Sequence, residues 1–164
     1  MKVIAVTGTP GTGKSTIAKK LAKKLNFYNL DVNKIISNYN LSECYDKKRR
    51  TKIIDTNKLN KKLIFEIKNI KKTEEYDGII IDSHLSHYLP KKYVDFCIVA
   101  KCSINELSKR LKRKRFHKEK VQENLQAEMF DICYNEAAEE KHKIIKIDTT
   151  KGFNIDGLLR KLGV

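Results

Sequence analysis

Val3-Ile4-Ala5-Val6-Thr7-Gly8-Thr9-Pro10-Gly11-Thr12-Gly13-Lys14-Ser15-Thr16-Ile17-Ala18 stands at the head of the chain and decides its fold. The apolar run Val3–Val6 predicts a buried strand. From Ile17 the period changes: Ile17, Leu21 and Leu25, with Ala18 and Ala22 beside them, form a helical stripe, and Lys19, Lys20, Lys23 and Lys24 point away from it. Lys23 and Lys24 also complement the negative end of that helix. Between strand and helix, Gly8, Gly13, Lys14 and Ser15 keep the spacing G-x-x-x-x-G-K-[ST]. Glycines let the backbone curl so that successive N–H groups face one anion, with a helix N-terminus beneath it. Lys14 then reaches the β- and γ-phosphates of a nucleotide, and the Ser15 hydroxyl is placed to hold Mg²⁺. The stretch therefore predicts a phosphate-binding loop in an α/β domain.

With 164 residues the chain predicts a single domain over 1–164, too short for a separate substrate domain, so substrate must bind in the loops of one sheet. The net charge of +15 favours polyanions such as nucleotides, RNA or a ribonucleoprotein surface. Compositional bias toward Lys, Asn and Ile is the plainer reading of the same charge, which leaves RNA open. Cys44, Cys97, Cys102 and Cys133 form no C-x-x-C pair and no zinc spacing, and read as reduced, mostly buried thiols. The apolar start is too short for a signal peptide, and no run approaches the roughly 18 apolar residues of a membrane span. A soluble, cytoplasmic protein is expected.

Further along, short apolar runs alternate with amphipathic segments, the pattern of a parallel sheet covered by helices. Asp31 to Asp55 is weakly hydrophobic and predicts a mobile insertion of short helices and turns. A helix is expected from about Asn57 to Lys72, with Leu59, Leu63, Ile67 and Ile70 on one face. Strands are expected at Gly78–Asp82, Tyr93–Ala100 and Lys143–Asp148. Helical patterns run over Ile104–Lys112 and over Lys118–Lys141, the latter carrying Val121, Leu125, Met129, Ile132, Cys133 and Ala137 at three- and four-residue spacing. A short helix with Leu158, Leu159 and Leu162 closes the chain.

Ligands of parallel α/β sheets gather outside the carboxyl ends of the strands. Asp82 ends one such strand, where a carboxylate can serve Mg²⁺ or orient an attacking water. A helix cap or surface turn is the structural alternative. His84, two residues on, is placed to polarise water or touch a transferred phosphoryl group. His87 follows, without further ligands at useful spacing, so zinc is not expected. Lys109-Arg110-Leu111-Lys112-Arg113-Lys114-Arg115-Phe116 packs six cations between two helical segments. Such a segment can close over a nucleotide, bring a cation to the developing charge and exclude water, or grip RNA phosphates; as a bland reading it is a solvated helix end. Asp148-Thr149-Thr150-Lys151 follows the last strand, where backbone and a lysine stem can border a base.

These pieces, in this order, resemble the adenylate kinase isoenzyme 6 family over nearly the whole chain. The residues that carry the resemblance are Gly8–Thr16, Asp82-Ser83-His84, Pro90, Arg110-Leu111, Asn124 and Glu136-Ala137. It implies a P-loop NTPase fold: a doubly wound, five-stranded parallel sheet of the nucleoside monophosphate kinase type. The monophosphate-binding insertion would lie at about 31–54 and a short lid at about 113–123. By the same resemblance, Gly11, Gly13, Lys14, Ser15 and Thr16 bind ATP, Lys151 lies by the adenine, and Asp82 and His84 serve Mg²⁺ and water or phosphoryl activation. Where the family usually has Arg-Gly-Tyr in the lid, this chain has Lys114-Arg115-Phe116, so the lid cation at ATP is Lys114, or else Arg113 or Arg115. The acceptor segment offers a cluster, Lys47, Lys48, Arg49 and Arg50, rather than a single arginine.

The function implied is phosphoryl transfer from ATP to AMP or another nucleoside monophosphate, with ATP hydrolysis. Late maturation of the small ribosomal subunit is implied with it, through a small-subunit ribosomal protein and pre-ribosomal rRNA. Two other readings stand beside it. One is a nucleotide-gated ribosome-assembly or RNA-binding switch with vestigial kinase activity, and the other is a small-metabolite kinase of similar fold.

Overall fold

The computed structural model describes residues 1–46 and 51–164. Its first strand, β1 (Lys2–Thr7), is buried from Val3 onward and runs parallel to two partners that lie far away in sequence. The loop after it leads into α1 (Lys14–Leu25), then β2 (Phe27–Asp31) and α2 (Val32–Asn38). A small antiparallel hairpin follows, β3 (Ser42–Asp46) and β4 (Thr51–Ile54), before the long α3 (Thr56–Thr73) and β5 (Gly78–Asp82). Two single 3₁₀ turns, Ser86–Tyr88 and Lys91–Tyr93, precede β6 (Phe96–Lys101). Then come α4 (Ile104–Arg113), α5 (Lys118–Met129), α6 (Ile132–Glu139), β7 (Ile144–Asp148) and α7 (Ile155–Leu162).

The main sheet has the order β2-β5-β1-β6-β7, and every pairing in it is parallel. β1 is central: the chain passes from it to the edge strand β2, returns to β5 beside it, and then continues on the other side through β6 to β7, which opens a crevice at the carboxyl ends of the strands. Because side chains alternate along a strand, Val3 and Ala5 join Ile79, Ile81, Cys97 and Val99 on one face, covered by α2 and by Leu59, Leu63 and Ile67 of α3. Ile4 and Val6 join Ile80, Ile98 and Ala100 on the other, covered by Ile17, Ala18 and Leu21 of α1 and Leu158 and Leu162 of α7. Each such buried aliphatic side chain contributes roughly 1.5–3 kcal/mol relative to exposure. A smaller cluster of Cys102, Leu107, Leu111 and Val121 fastens α4 to α5.

The expected helix from Asn57 begins at Thr56, where the Asp55 carboxylate caps it by accepting from the amides of Asn57 (2.8 Å) and Lys58 (3.1 Å). Three expectations need correction. The segment from Asp31 to Asp55 holds one short helix and a hairpin rather than short helices and turns. The cluster Lys47, Lys48, Arg49 and Arg50 lies outside the described residues. The strand expected from Tyr93 starts at Phe96, because Pro90 opens a 3₁₀ turn and the Asp95 carboxylate accepts from the Val3 amide at 2.7 Å.

The single helix expected over Lys118–Lys141 is two, broken at Asp131, whose φ of 54° is left-handed. The break brings the Asp131 carboxylate to 2.6 Å from the Lys101 ammonium, and it leaves Met129 and Ile132 exposed although the spacing put them on a core stripe. Of the four cysteines, Cys97 and Cys102 are buried, Cys133 is partly so, Cys44 is exposed, and all are free thiols. Among the described residues no helix is long and apolar enough to cross a membrane.

Candidate nucleotide site

The loop between β1 and α1 takes its shape from its glycines. Gly8 has φ 143° and lies so close to β6 that a Cβ there would come within 2.6 Å of the Ala100 carbonyl oxygen. Gly11, at φ 93°, sits under α4, where a Cβ would meet Leu107 at 2.9 Å. The curl is held from inside by the Thr12 amide, which donates to the Thr9 carbonyl at 3.2 Å, and by the Thr12 hydroxyl, which donates to the same oxygen at 2.8 Å. The hydroxyl of Thr149, at the end of β7, donates to the Thr12 carbonyl. α1 starts with no side-chain cap; the Thr16 and Ile17 amides donate to the Gly13 carbonyl at 3.0 and 3.1 Å, which leaves the amides of Lys14 and Ser15 as the donors for an anion at this helix N-terminus.

A cavity of about 440 Å³ opens against this loop. Gly11, Gly13 and Thr16 form its floor, Arg110 and Arg113 of α4 with Lys114 just after it one wall, and Thr149, Gly152 and Phe153 the other. Three of the four charged residues in its lining come from the basic run that the sequence singled out. Arg110 is fully engaged: it donates to Glu106 Oε1 (2.9 Å), to the Thr149 hydroxyl (3.1 Å) and to the carbonyls of Thr149 (2.7 Å) and Thr150 (3.3 Å). It thus ties α4 to the loop after β7, while the Lys114 side chain remains available to an anion. Lys151 is exposed and outside the lining, which its neighbours Gly152 and Phe153 supply. Ser15 is exposed at the start of α1.

On the sheet side of the loop, Asp82 ends β5 directly beside Val6 of β1. Its negative charge acts on the Lys14 ammonium at the start of α1. Burial pushes Lys14 below the ordinary lysine value; Asp82 and the Cys133 thiol group oppose that shift, and Lys114 adds to it. The Asp82 carboxylate takes part in no hydrogen bond or ion pair among the described residues. His84 follows on the loop. Its ring reaches solvent, yet protein around its other sides, and then the charges of Lys14, His87 and Lys120, bring its pKa down to about 4. At neutral pH it is an uncharged imidazole able to accept a proton. Lys14 thus stands within electrostatic reach of Asp82, His84 and Lys114, beside a cavity lined by Gly11, Gly13, Thr16 and Lys114.

Because folded His84 binds its proton less readily than the unfolded chain does, stability is fully present above about pH 6.5 and is lost as pH falls toward about 4. The depressed pKa of His87 acts in the same sense. The melting temperature is therefore expected to fall on acidification through that window, and a flat profile there would contradict the depression.

Two features of the site have no signal in the sequence. His87 is buried and serves as a strut: its Nδ1 pairs with the Thr7 hydroxyl at 2.7 Å and its Nε2 with Glu136 Oε2 at 2.9 Å. His142 Nε2 meets the His87 carbonyl at 2.8 Å. Glu128 of α5 is the second. It is 5% exposed, accepts from the Thr9 hydroxyl at 2.7 Å and from the Cys102 amide at 3.0 Å, and pairs with Lys101 at 2.8 Å. A carboxylate on a polar helix gives no sign of this until the helix is docked. Among the described residues no group of three or more His, Cys, Asp or Glu is arranged to hold a metal ion.

The AAA domain family matches residues 4–131. Curated relatives include a "Putative adenylate kinase" from Methanocaldococcus jannaschii, 39% identical over 90% of this chain and 76% of its own length. A protein of the same name from Methanosarcina acetivorans is 35% identical, over 90% and 77%. The "Adenylate kinase isoenzyme 6 homolog" of Caenorhabditis elegans is 32% identical, over 83% and 72%. Among solved structures, a deoxyadenosine kinase from M. mycoides with bound dATP aligns over the whole of both chains at a TM-score of 0.59 and 18% identity. A "putative kinase" from Chloroflexus aurantiacus, covering 99% of this chain and 93% of its own, aligns at 0.55 and 14%. At these identities the two structures speak for the fold alone.

Proposed function

Because the chain belongs to the family of archaeal adenylate kinase relatives and adenylate kinase isoenzyme 6, within the AAA domain family, we propose that it is an ATP-dependent nucleoside monophosphate kinase that also hydrolyses ATP. The observation that carries this reading is the curled loop before Lys14, set against a cavity walled by cations and beside the β5 end that bears Asp82, with His84 following. The loop amides and Lys14 hold the β- and γ-phosphates, and Lys114 approaches from the opposite wall. Binding and orientation do most of the work in phosphoryl transfer, since the reacting groups need little covalent help. A monophosphate acceptor attacks as an anion and needs no base. Water does need one, and His84 is the group placed to take its proton.

Mg²⁺ fits these residues. Ser15 offers an exposed hydroxyl and Asp82 an unpaired carboxylate, a sparse donor set that suits an ion which keeps water and phosphate ligands. When bound with nucleotide, Mg²⁺ neutralises phosphate charge. Lys114 stands where the family usually has arginine, and an ammonium lacks the planar fork that clamps a phosphate. That substitution favours a second reading, a nucleotide-gated switch in small-subunit and rRNA maturation with vestigial kinase activity, which the net charge of +15 also suits.

Coupled assays of ATP with each nucleoside monophosphate, and with none, test the proposal on one preparation. Formation of two ADP from ATP and AMP supports the kinase. Hydrolysis without transfer, with RNA binding that falls steeply with salt, supports the switch. His84→Ala is expected to slow hydrolysis by about 10²-fold or more and to leave nucleotide affinity little changed. Equal loss of both would make His84 a structural residue.

A further inference from the structure

His87 is a buried titratable group that the chemistry above does not use. It is 1% exposed and lies on the loop after β5, the same loop that carries His84. That loop is stitched to the two residues before Gly8. The Ser83 amide donates to the Val6 carbonyl at 3.2 Å, and the Ser86 hydroxyl donates to the same oxygen at 3.1 Å. The third stitch joins His87 Nδ1 to the Thr7 hydroxyl at 2.7 Å, one residue from the start of the phosphate loop. Behind the ring, Nε2 meets the Glu136 carboxylate of α6 at 2.9 Å. Thr7 is fully buried, so its hydroxyl depends on this imidazole for a partner.

These partners decide where the ring carries its hydrogen. Burial lowers the pKa of His87, Glu136 opposes that shift and His142 adds to it, so at neutral pH the imidazole is uncharged, with one donor and one acceptor nitrogen. A carboxylate only accepts, so Nε2 holds the hydrogen and directs it at Glu136. Nδ1 is then the acceptor, and the Thr7 hydroxyl donates to it. Without the carboxylate, neither the tautomer nor the orientation of the ring is fixed, and Thr7 loses a defined acceptor. On the other side of Gly8, Glu128 of α5 holds Thr9 at 2.7 Å. The two carboxylates differ in what they control: Glu128 clasps the phosphate loop itself, whereas Glu136 governs the spacing between that loop and the one bearing His84.

We propose that His87 and Glu136 are positioning residues for phosphoryl transfer: Glu136 holds the imidazole as its Nε2–H tautomer against Thr7, and this chain sets the reach from the phosphate loop to Asp82 and His84. The inference rests on the kinase reading above. Neither residue is required to touch nucleotide or to give up a proton. Their effect runs through placement. Lys14 and the amides at the start of α1 hold the phosphates, while Asp82 ends β5 and His84 stands on the loop after it. A misplacement of about 1 Å between these two sets of groups costs up to roughly 10²-fold in rate. ATP affinity depends on the phosphate loop, so the chain through His87 acts on turnover and spares binding.

The test compares wild type with Glu136→Ala, Glu136→Gln, Thr7→Val and the double variant carrying Thr7→Val and Glu136→Ala. Each is assayed well below its melting temperature for ATP plus AMP turnover and for affinity toward a fluorescent ATP analogue, and nitrogen-15 NMR reads the tautomer of His87. The Glu136 side chain is partly exposed, so truncating it does not open the core. Glu136→Ala is expected to lower kcat about 10-fold or more, to keep ATP-analogue affinity, and to replace the Nε2–H signal of His87 by a mixture of tautomers. Glu136→Gln keeps an acceptor oxygen and recovers most of the rate. Thr7→Val lowers kcat by a similar factor, and the double variant is no slower than Thr7→Val alone, because Glu136 acts through Thr7. Two independent packing defects would multiply instead. Turnover of Glu136→Ala or Thr7→Val within about twofold of wild type, a loss matched by equal loss of ATP affinity, or multiplied losses in the double variant would overturn the proposal. If wild type hydrolyses ATP but makes no ADP from AMP, the kinase reading fails, and the same criteria then apply to the hydrolysis rate. A wild type with neither activity overturns both.

Discussion

Lys14→Ala is expected to abolish phosphoryl transfer and hydrolysis together, by about 10³-fold or more in kcat, in a protein that melts no lower than wild type. The two halves of this expectation have one cause. Lys14 enters the crevice from the first turn of α1, and burial is the strongest influence on it, with Asp82 only partly compensating. An ammonium kept there is a cost to the folded chain, so removing it does not weaken the fold. What disappears is a cation aimed at the oxygens that gain charge as the γ-phosphoryl group moves. No neighbour can substitute: Lys114 approaches from the other wall, and Arg110 is committed to Glu106, Thr149 and Thr150. Coupled ADP formation and thermal melting on the same sample check it. Turnover close to wild type would remove the loop from the chemistry, and a large drop in melting temperature would show Lys14 to be a structural residue.

Glu128→Ala is expected to have the largest effect on stability of any single polar substitution near the site, about 3–5 kcal/mol. Its carboxylate serves three groups at once: the Thr9 hydroxyl, the Cys102 amide and the Lys101 ammonium. Truncation strands the first two in a region closed to water and leaves Lys101 with Asp131 alone. Nucleotide affinity should fall as well, since Thr9 belongs to the loop that cradles the phosphates. Glu128→Gln keeps the shape and one acceptor oxygen, so it should retain more of both properties. Urea unfolding midpoints with nucleotide titrations check the pair. A Glu128→Ala protein as stable as wild type would mean that the loop is held by Thr12 and Thr149 without help from α5.

The parts of this site that were legible in the sequence are those where one residue type answers to one local demand. Gly8 and Gly13 with Lys14 and Ser15 mark a backbone that must curl around an anion, and Asp82 marks the end of a run too apolar to be anything but a central strand. β2 escaped because Phe27-Tyr28-Asn29-Leu30-Asp31 is short and polar, as an edge strand can be; Phe27 finds its place only across from Gly78, where a Cβ would strike its ring at 2.4 Å. The break at Asp131 escaped because helical spacing from Val121 to Ala137 runs through it without a glycine or proline. The competing interaction, the ion pair with Lys101, comes from a strand some thirty residues earlier. His87 and Glu128 escaped for the same reason. Their roles are set by partners that the fold brings to them, Thr7 and Glu136 in one case and Thr9 in the other.

The central place of β1 has a consequence for synthesis. The phosphate loop leaves the ribosome before its braces, which are Ala100 on β6, Glu128 on α5 and Thr149 after β7, the last of them 137 residues downstream of Thr12. Until that distant threonine emerges, the nascent chain carries the signature of a nucleotide enzyme and none of its grip. Loop closures of this span are slow to form. Nucleotide binding therefore reports on completed translation of the domain, and a chain interrupted before β7 is expected to be inert toward ATP however intact its first sixteen residues are.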